Sequence, residues 1–282
     1  MEKKRALIVE DMCVVGQCSL SVALPVLSAC GAEVCALPVS LLSTHSVGFE
    51  GYTRLSLADE AERIVKHFLS SGITFDAVMC GYLGGVKEAR LVHLANRALK
   101  EGGLRIVDPA VGDFGTLYPD LSGEALQEVR TLCVGADAIL PNFTEACLLA
   151  GREHMECSLA LARELAEHIK EEYSAGAVVV TGVEDGGRIG ALAVCGERTQ
   201  YFGHKREDRV CHGAGDVFAS AFEGAMLCGA DAMTAVELAE AFVYDCIKHS
   251  LADREHWYGL NFEPLISTLP TRIEEALKNS RR

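Results

Sequence analysis

The chain has 282 residues, 49% of them hydrophobic, 23% charged and 6% aromatic, and a formal net charge of -14. A composition of this kind buries a sizeable core, which excludes disordered, collagen-like and coiled-coil architectures. An acidic surface repels phosphate backbones and so excludes a general nucleic-acid role, while a local pocket for a small anion stays compatible with it.

The N-terminal ALIVED run is strand-like rather than the core of a signal peptide. Runs of consecutive apolar residues predict strands buried on both faces at 6–9, 34–37, 77–80, 105–107, 138–140 and 177–181. Helical patterns lie between them at 20–29, 58–70, 86–100, 124–133, 143–150 and 158–173. In the second of these, Glu62 and Lys66 mark a polar face and Ile64, Phe68 and Leu69 an apolar one. This alternation predicts an α/β fold with a mostly parallel sheet and helices on both faces. Residues 40–57 break the rhythm. They are polar and Gly-containing, with a short strand expected around Phe49, Tyr52 and Thr53, and they suit a lid over a site. Residues 188–204 alternate around GERT like an edge hairpin. Two helices follow at 214–228 and 231–250, then a tail with a short helix, Pro270 and a second helix ending in basic residues. One domain, 1–282, with a small lid is the simplest organisation. The twelve cysteines form no C-x-x-C pair and read as small buried hydrophobes in a reducing compartment. No apolar stretch reaches membrane-spanning length. A cytoplasmic protein with no membrane partner is expected.

The strongest chemical signal is CHGAGDVFASAFEGA, 211–225. Gly213 and Gly215 allow a tight turn around Ala214, and the helix that follows points N–H groups and its positive dipole end at one spot. Asp216 beside that spot is placed to take a proton from a hydroxyl, or else is a favourable acid in a first helical turn. VDPAVGD, 107–113, puts Asp108 and Asp113 at the carboxyl end of a strand, where open α/β sheets bind ligands. LPNFTEACLLAG, 140–151, places Asn142 and Glu145 three apart at a helix start, as a cap or as a water-mediated Mg²⁺ site. CGYLGGV, 80–86, presents Tyr82 for stacking or for packing, and STHSVGFEGYT, 43–53, brings His45 and Ser46 into the lid. Absent are G-x-x-x-x-G-K-[ST], G-x-G-x-x-G after the first strand, H-E-x-x-H and G-x-S-x-G, so P-loop, dinucleotide-binding, zincin and α/β-hydrolase chemistries are disfavoured. Cys211 and His212 are adjacent on a turn, a poor arrangement for a thiolate pair.

Taken in order, VVGQCSLSVALPVL, STHSVGFEGYT, VMCGYLGG, VDPAVGD, LPNFTEACLLAG and HGAGDVFASAF resemble the ribokinase-like superfamily, and within it the pyridoxal/pyridoxamine (vitamin B6) kinases. The resemblance runs over nearly the whole chain and implies a three-layer fold with a small lid. It implies transfer of the γ-phosphate of ATP to the 5′-hydroxymethyl group of pyridoxal, pyridoxine or pyridoxamine, with Mg²⁺, room for a monovalent cation, and a homodimer. On that basis Asp216 is the general base and Gly213, Ala214 and Gly215 form the anion hole. Asp108 and Glu145 attend to Mg²⁺ and phosphate, and Asn142, Thr181 and Gly182 contact the nucleotide. Asp11, His45, Ser46 and Tyr82 hold the pyridine, with Tyr118 towards the phosphate. Relatives often carry Ser where this chain has Asp11. Many hydroxymethylpyrimidine kinases carry Cys at the Asp216 position. The rivals are therefore a hydroxymethylpyrimidine or other small-alcohol kinase of the same superfamily, and a silent nucleotide- or pyridoxal-binding protein.

Overall fold

A computed structural model describes residues 3–209, 211–253 and 255–280. Six strands form the parallel centre of the main sheet: β1 (Arg5–Val15), β2 (Glu33–Thr44), β4 (Phe75–Cys80), β5 (Leu99–Val107), β8 (Ala138–Ile139) and β9 (Ala177–Asp185). The short β3 (Arg54–Ser56) pairs antiparallel with β2 at one edge. The hairpin β10 (Arg188–Cys195) and β11 (Arg198–Lys205) continues antiparallel from β9 at the other. The order is β11-β10-β9-β8-β5-β4-β1-β2-β3, and a separate two-stranded ribbon joins β6 (Gly112–Asp113) to β7 (Thr116–Leu117).

The period-two alternation of the strands sorts their side chains onto two faces. Leu7, Val9, Val78, Val107, Ile139 and Val178 enter one apolar layer, packed by α2 (Ala58–Ser70), α3 (Val86–Ala95), α4 (Gly123–Cys133), α5 (Phe143–Leu149) and α6 (Leu159–Glu172). Ala6, Ile8, Ala77, Met79, Ala138 and Ala177 enter the other, against α1 (Leu20–Ala29), α7 (Ala214–Leu227), α8 (Ala232–Ser250) and α9 (Leu269–Ser280). Small-residue α7 packs against α1 and α8 on this second face. Caps fix where helices start: Ser122 accepts from the Ala125 N–H at 3.1 Å, Ser158 from Leu161 at 3.2 Å and Asp231 from Thr234 at 2.8 Å. No helix among the described residues is long and apolar enough to cross a membrane.

The expected alternation is present, with three local corrections. The helix expected over 86–100 ends at Ala95 and gives way to a 3-10 turn, and β5 starts at Leu99. The register jump between Phe75 and Ala77 accommodates residues 100–103 of β5, of which only Lys100 falls in the expected helix. The break expected from residue 40 comes later: β2 runs on to Thr44, and Ser40–Leu42 pair with β3 at 54–56 rather than with a strand around Phe49. These outer strands carry polar residues such as Ser40, Arg54 and Ser56 and leave Leu41 and Leu55 exposed, so they lack the apolar signature of the core strands. In the tail Pro270 does not separate two helices; it sits in the first turn of α9, directly after the 3-10 turn Ile266–Thr268, where a missing N–H costs nothing. The basic residues Arg281 and Arg282 lie outside the described residues.

Candidate active site

The carboxyl ends of β1, β4, β5, β8 and β9 open into a cavity of about 810 Å³, and all fourteen residues singled out as candidates line it. The start of α7 lines it. Gly213 caps that helix with φ 77° and ψ 2°, a left-handed conformation, and a Cβ there would collide with the Gln17 carbonyl, so only glycine fits. The Val217 N–H returns to the Gly213 carbonyl at 3.0 Å, while the first-turn amides have no intrahelical acceptor. Asp216 stands among them.

Four carboxylates converge here. Burial is the first cause raising the pKa of Asp216, followed by repulsion from Asp108 and Asp11, and together they push it up to about 8. Glu10 and Asp108 are pushed well above their ordinary range, Glu10 by burial and then Asp216, Asp108 by burial and then Glu145. Asp11 is raised by burial against the pull of its hydrogen bonds. Glu10 and Asp11 are neighbours in sequence, so a regular strand would send them to opposite faces. Both faces of the sheet are covered, so both are buried, at 2% and 3% exposure, and the β1–β2 register shifts between Glu10 and Met12. Glu10 Oε1 has no hydrogen-bond partner among the described residues.

Ser19 ties two of these acids together. Its hydroxyl donates to Asp11 Oδ1 at 2.5 Å, and its backbone N–H bonds to the Asp216 carboxylate. The residue sits at φ 50° and ψ -135°, a strained conformation for a side chain with a Cβ. Cys13 adds a thiol donor to Asp11 at 3.2 Å.

Glu145 and Asn142 form a capping box at the start of α5. Asn142 Oδ1 accepts from the Glu145 N–H and Glu145 Oε2 from the Asn142 N–H, each at 2.9 Å. Glu145 Oε1 also accepts from the Val111 N–H at 2.9 Å, and Asn142 Nδ2 donates to the Gly112 carbonyl at 2.8 Å. The pair thus pins the turn after β5, and with it Asp108, to the head of α5. Burial, offset by these backbone donors, leaves Glu145 up at about 7. Thr181 is drawn alongside Asn142 by its N–H bond to the Pro141 carbonyl at 2.9 Å, and Gly182 follows in a left-handed conformation.

At the lid end, Tyr82 and Tyr118 meet edge to face with centroids 6.1 Å apart, and Tyr118 also faces Glu145, Asp113 and Asp108. His45 is buried, at 7% exposure. Its Nε2 meets the Tyr258 carbonyl at 2.8 Å, which makes that nitrogen the donor, and Nδ1 is left without a partner among the described residues. Ser46 follows it on the cavity wall.

Several participants carry no motif. Phe49 packs on Trp257 at 4.8 Å and on His45 at 5.0 Å, and His45 lies 5.3 Å from His212. Arg209 donates to the Asp253 carbonyl at 2.7 Å and to the His256 carbonyl at 2.6 Å, lines the cavity, and has no carboxylate partner among the described residues. The WYG run, 257–259, was the available sequence signal, an aromatic-Gly stretch in an otherwise polar tail.

With this geometry established, comparison places the chain. A family model described as phosphomethylpyrimidine kinase matches residues 51–260. The chain belongs to the phosphomethylpyrimidine kinase family. Within and around this kinase family, a pyridoxine/pyridoxal/pyridoxamine kinase of Bordetella pertussis is 28% identical over 263 residues, covering 86% of this chain and 88% of its own. The crystal structure of pyridoxal kinase from Lactobacillus plantarum superposes with a TM-score of 0.88 at 28% identity, covering 96% of this chain and 98% of that one. A Bacteroides thetaiotaomicron protein provisionally named a phosphomethylpyrimidine kinase, crystallised with pyridoxal, gives a TM-score of 0.88 at 26% identity, covering 95% and 96%.

Proposed function

We propose that this chain is an ATP-dependent kinase of vitamin B6, transferring the γ-phosphate to the 5′-hydroxymethyl group of pyridoxal, pyridoxine or pyridoxamine. The observation that carries the reading is the pairing of Asp216 with the open amides at the head of α7, in a cavity lined by carboxylates, tyrosines and apolar side chains. A primary alcohol is a poor nucleophile, and a carboxylate whose own pKa lies near neutrality is matched to take its proton as the new bond forms. The amides of Ala214 and Gly215, with the Gly213 turn, face the transferring phosphoryl, and most catalysis of this reaction is alignment and charge stabilisation. Asp11, His45, Ser46, Tyr82 and Tyr118 hold the pyridine. Asn142, Thr181 and Gly182 line the phosphates, and Arg209 adds positive charge.

Mg²⁺ fits the residues present. The donors are all oxygen, burial and then the neighbouring carboxylates raise the affinity of Asp108 and Asp216 for protons in a way a cation would offset, and Glu10 Oε1 is an orphaned acceptor. Asp108 would hold it, with Glu145 through water, its remaining oxygen lone pair being free of the capping box. The ion would neutralise charge on the phosphates. A monovalent cation is compatible with the same acidic field. Residues 40–57 serve as a lid within one 1–282 domain, latched by Tyr52 to Asp120 at 2.7 Å and by Arg54 to the Gly84 carbonyl at 3.1 Å. Twelve unpaired thiols suit the cytoplasm. Exposed Val14, Val15 and Leu55 at the outer end of β1–β3 support a homodimer.

The test is ATP turnover against pyridoxal, pyridoxine, pyridoxamine and hydroxymethylpyrimidine. Turnover of one or more B6 vitamers with the highest kcat/KM supports the reading. Preference for the pyrimidine, or tight binding without turnover, overturns it.

A further inference from the structure

We propose that Glu240, held in place by His204, reads the nucleoside half of the bound nucleotide by accepting a hydrogen bond from it. This inference rests on the kinase reading above and extends it to a part of the cavity that no sequence motif marks.

His204 on β11 and Glu240 on α8 both line the cavity beyond Thr181 and Gly182, and their side chains are each 11% exposed. The imidazole cannot turn. Its Nδ1 donates to the Lys205 carbonyl at 2.9 Å, its ring stacks on Tyr244 at 4.1 Å and 16°, and its Nε2 meets Glu240 Oε1 at 3.1 Å. Burial works against the imidazolium, but the bonds to Glu240 and to the Lys205 carbonyl outweigh it, so His204 holds its proton more tightly than a free imidazole. Glu240 Oε1 is therefore occupied. Its other oxygen receives no donor from the described residues and is not sealed from solvent.

Val243 and Ile247 follow Glu240 at three and seven positions along α8, so the three side chains form one stripe on the helix face that borders the cavity. Phe218 and Ile189 add apolar surface at the same end. A flat heteroaromatic base suits the apolar part of this wall. A carboxylate at its end only accepts hydrogen bonds, so the ligand must bring a donor there, and it repels phosphate. The triphosphate then runs the other way, towards the Gly213 turn and Asp216. The donors a nucleoside offers are its ribose hydroxyls and, in adenine, the exocyclic amine.

The experiment is steady-state kinetics of the full chain at saturating B6 vitamer with ATP, 2′-deoxy-ATP, 3′-deoxy-ATP and ITP, repeated with Glu240→Gln. Losing a hydrogen bond to a charged acceptor should raise the KM for ATP about tenfold in Glu240→Gln, while the KM for the vitamer stays near that of the wild type. One analogue should show the same penalty in the wild type and no added penalty in the variant, since each change removes the same contact. A deoxy analogue in that role assigns a ribose hydroxyl, and ITP assigns the amine. A folded Glu240→Gln with KM for ATP within about twofold of the wild type overturns the inference and leaves a purely structural ion pair. Should the variant fail to fold, equal wild-type KM values for all four nucleotides overturn it by themselves. In either case wild-type ATP turnover with a vitamer keeps the kinase reading intact, so the two failures are distinguishable.

Discussion

Glu223 lies in the middle of α7 with 0% exposure, and neither carboxylate oxygen has a hydrogen-bond partner among the described residues. Burial alone pushes its pKa from 4.5 up to about 8. The folded state therefore keeps this proton over a range in which the unfolded chain has released it. The native state binds more protons between pH 4.5 and 8, so the stability contributed by the neutral acid is complete below the unfolded value and is lost as pH rises towards the folded one. The shift corresponds to roughly 4 kcal/mol lost across that window, a large share of the stability of an ordinary domain. Replacing Glu223 with Met keeps the volume and removes the titration. Urea denaturation of wild type and Glu223→Met at pH 5, 6.5 and 8 checks this. The variant should become progressively more stable than the wild type as pH rises, the difference growing by a few kcal/mol between the first and last condition. Glu10, Asp108, Glu145 and Asp216 titrate in the same direction, but they are present in both proteins and cancel in the difference. A difference that does not change with pH would refute the reasoning, because Glu223 would then be stabilised as an anion by a partner.

Ser19→Ala removes the hydroxyl that orders Asp11 and should lower kcat/KM for the vitamer about tenfold, with Asp11 titrating at higher pH in the kcat/KM profile. Ser19→Gly loses the same hydroxyl but relieves the positive φ, so it should be about 1 kcal/mol more stable than Ser19→Ala by denaturant titration; equal stabilities would contradict the strain. Trp257 is the only tryptophan in the sequence, so its fluorescence reports the contact with Phe49 of the lid. Phe49→Ala should shift the emission to the red and raise the KM for the vitamer, and unchanged emission would mean that the lid does not rest on Trp257.

The parts of the fold that were legible in the sequence are those whose cause is local. Val178–Val180 and Leu7–Val9 are apolar at every position because both faces of the sheet are covered, and helices such as 58–70 carry their amphipathic pattern openly. Asn142 and Glu145 were legible as a capping pair because both partners lie within one turn. Asp108 and Asn142 were legible as candidates because each follows a strand at the ligand-binding edge, and Gly213, Gly215 and Asp216 because the glycines open a small-residue helix. What stayed hidden depends on contacts between distant segments. The Phe49–Trp257 packing joins residues 208 positions apart with no periodic signature. The register shift in β1 between Glu10 and Met12 is announced by no residue pattern. His45 looked like a loop histidine until the Tyr258 carbonyl, far along the chain, was found closing over it. The outer half of β2 pairs with an exposed edge strand and so never acquires an apolar face.

The central claim is that the Asp216 carboxylate removes the proton of the alcohol. The most direct measurement is the pH dependence of kcat/KM for pyridoxal in wild type and Asp216→Asn, together with ADP affinity for both. The wild-type value should rise with pH through a midpoint near 8 and level off above it, as the carboxyl gives up its proton. The Asn variant should bind ADP, turn over at least ~100-fold more slowly and show no such rise. An Asn variant with the wild-type rate and the same pH profile would contradict the account.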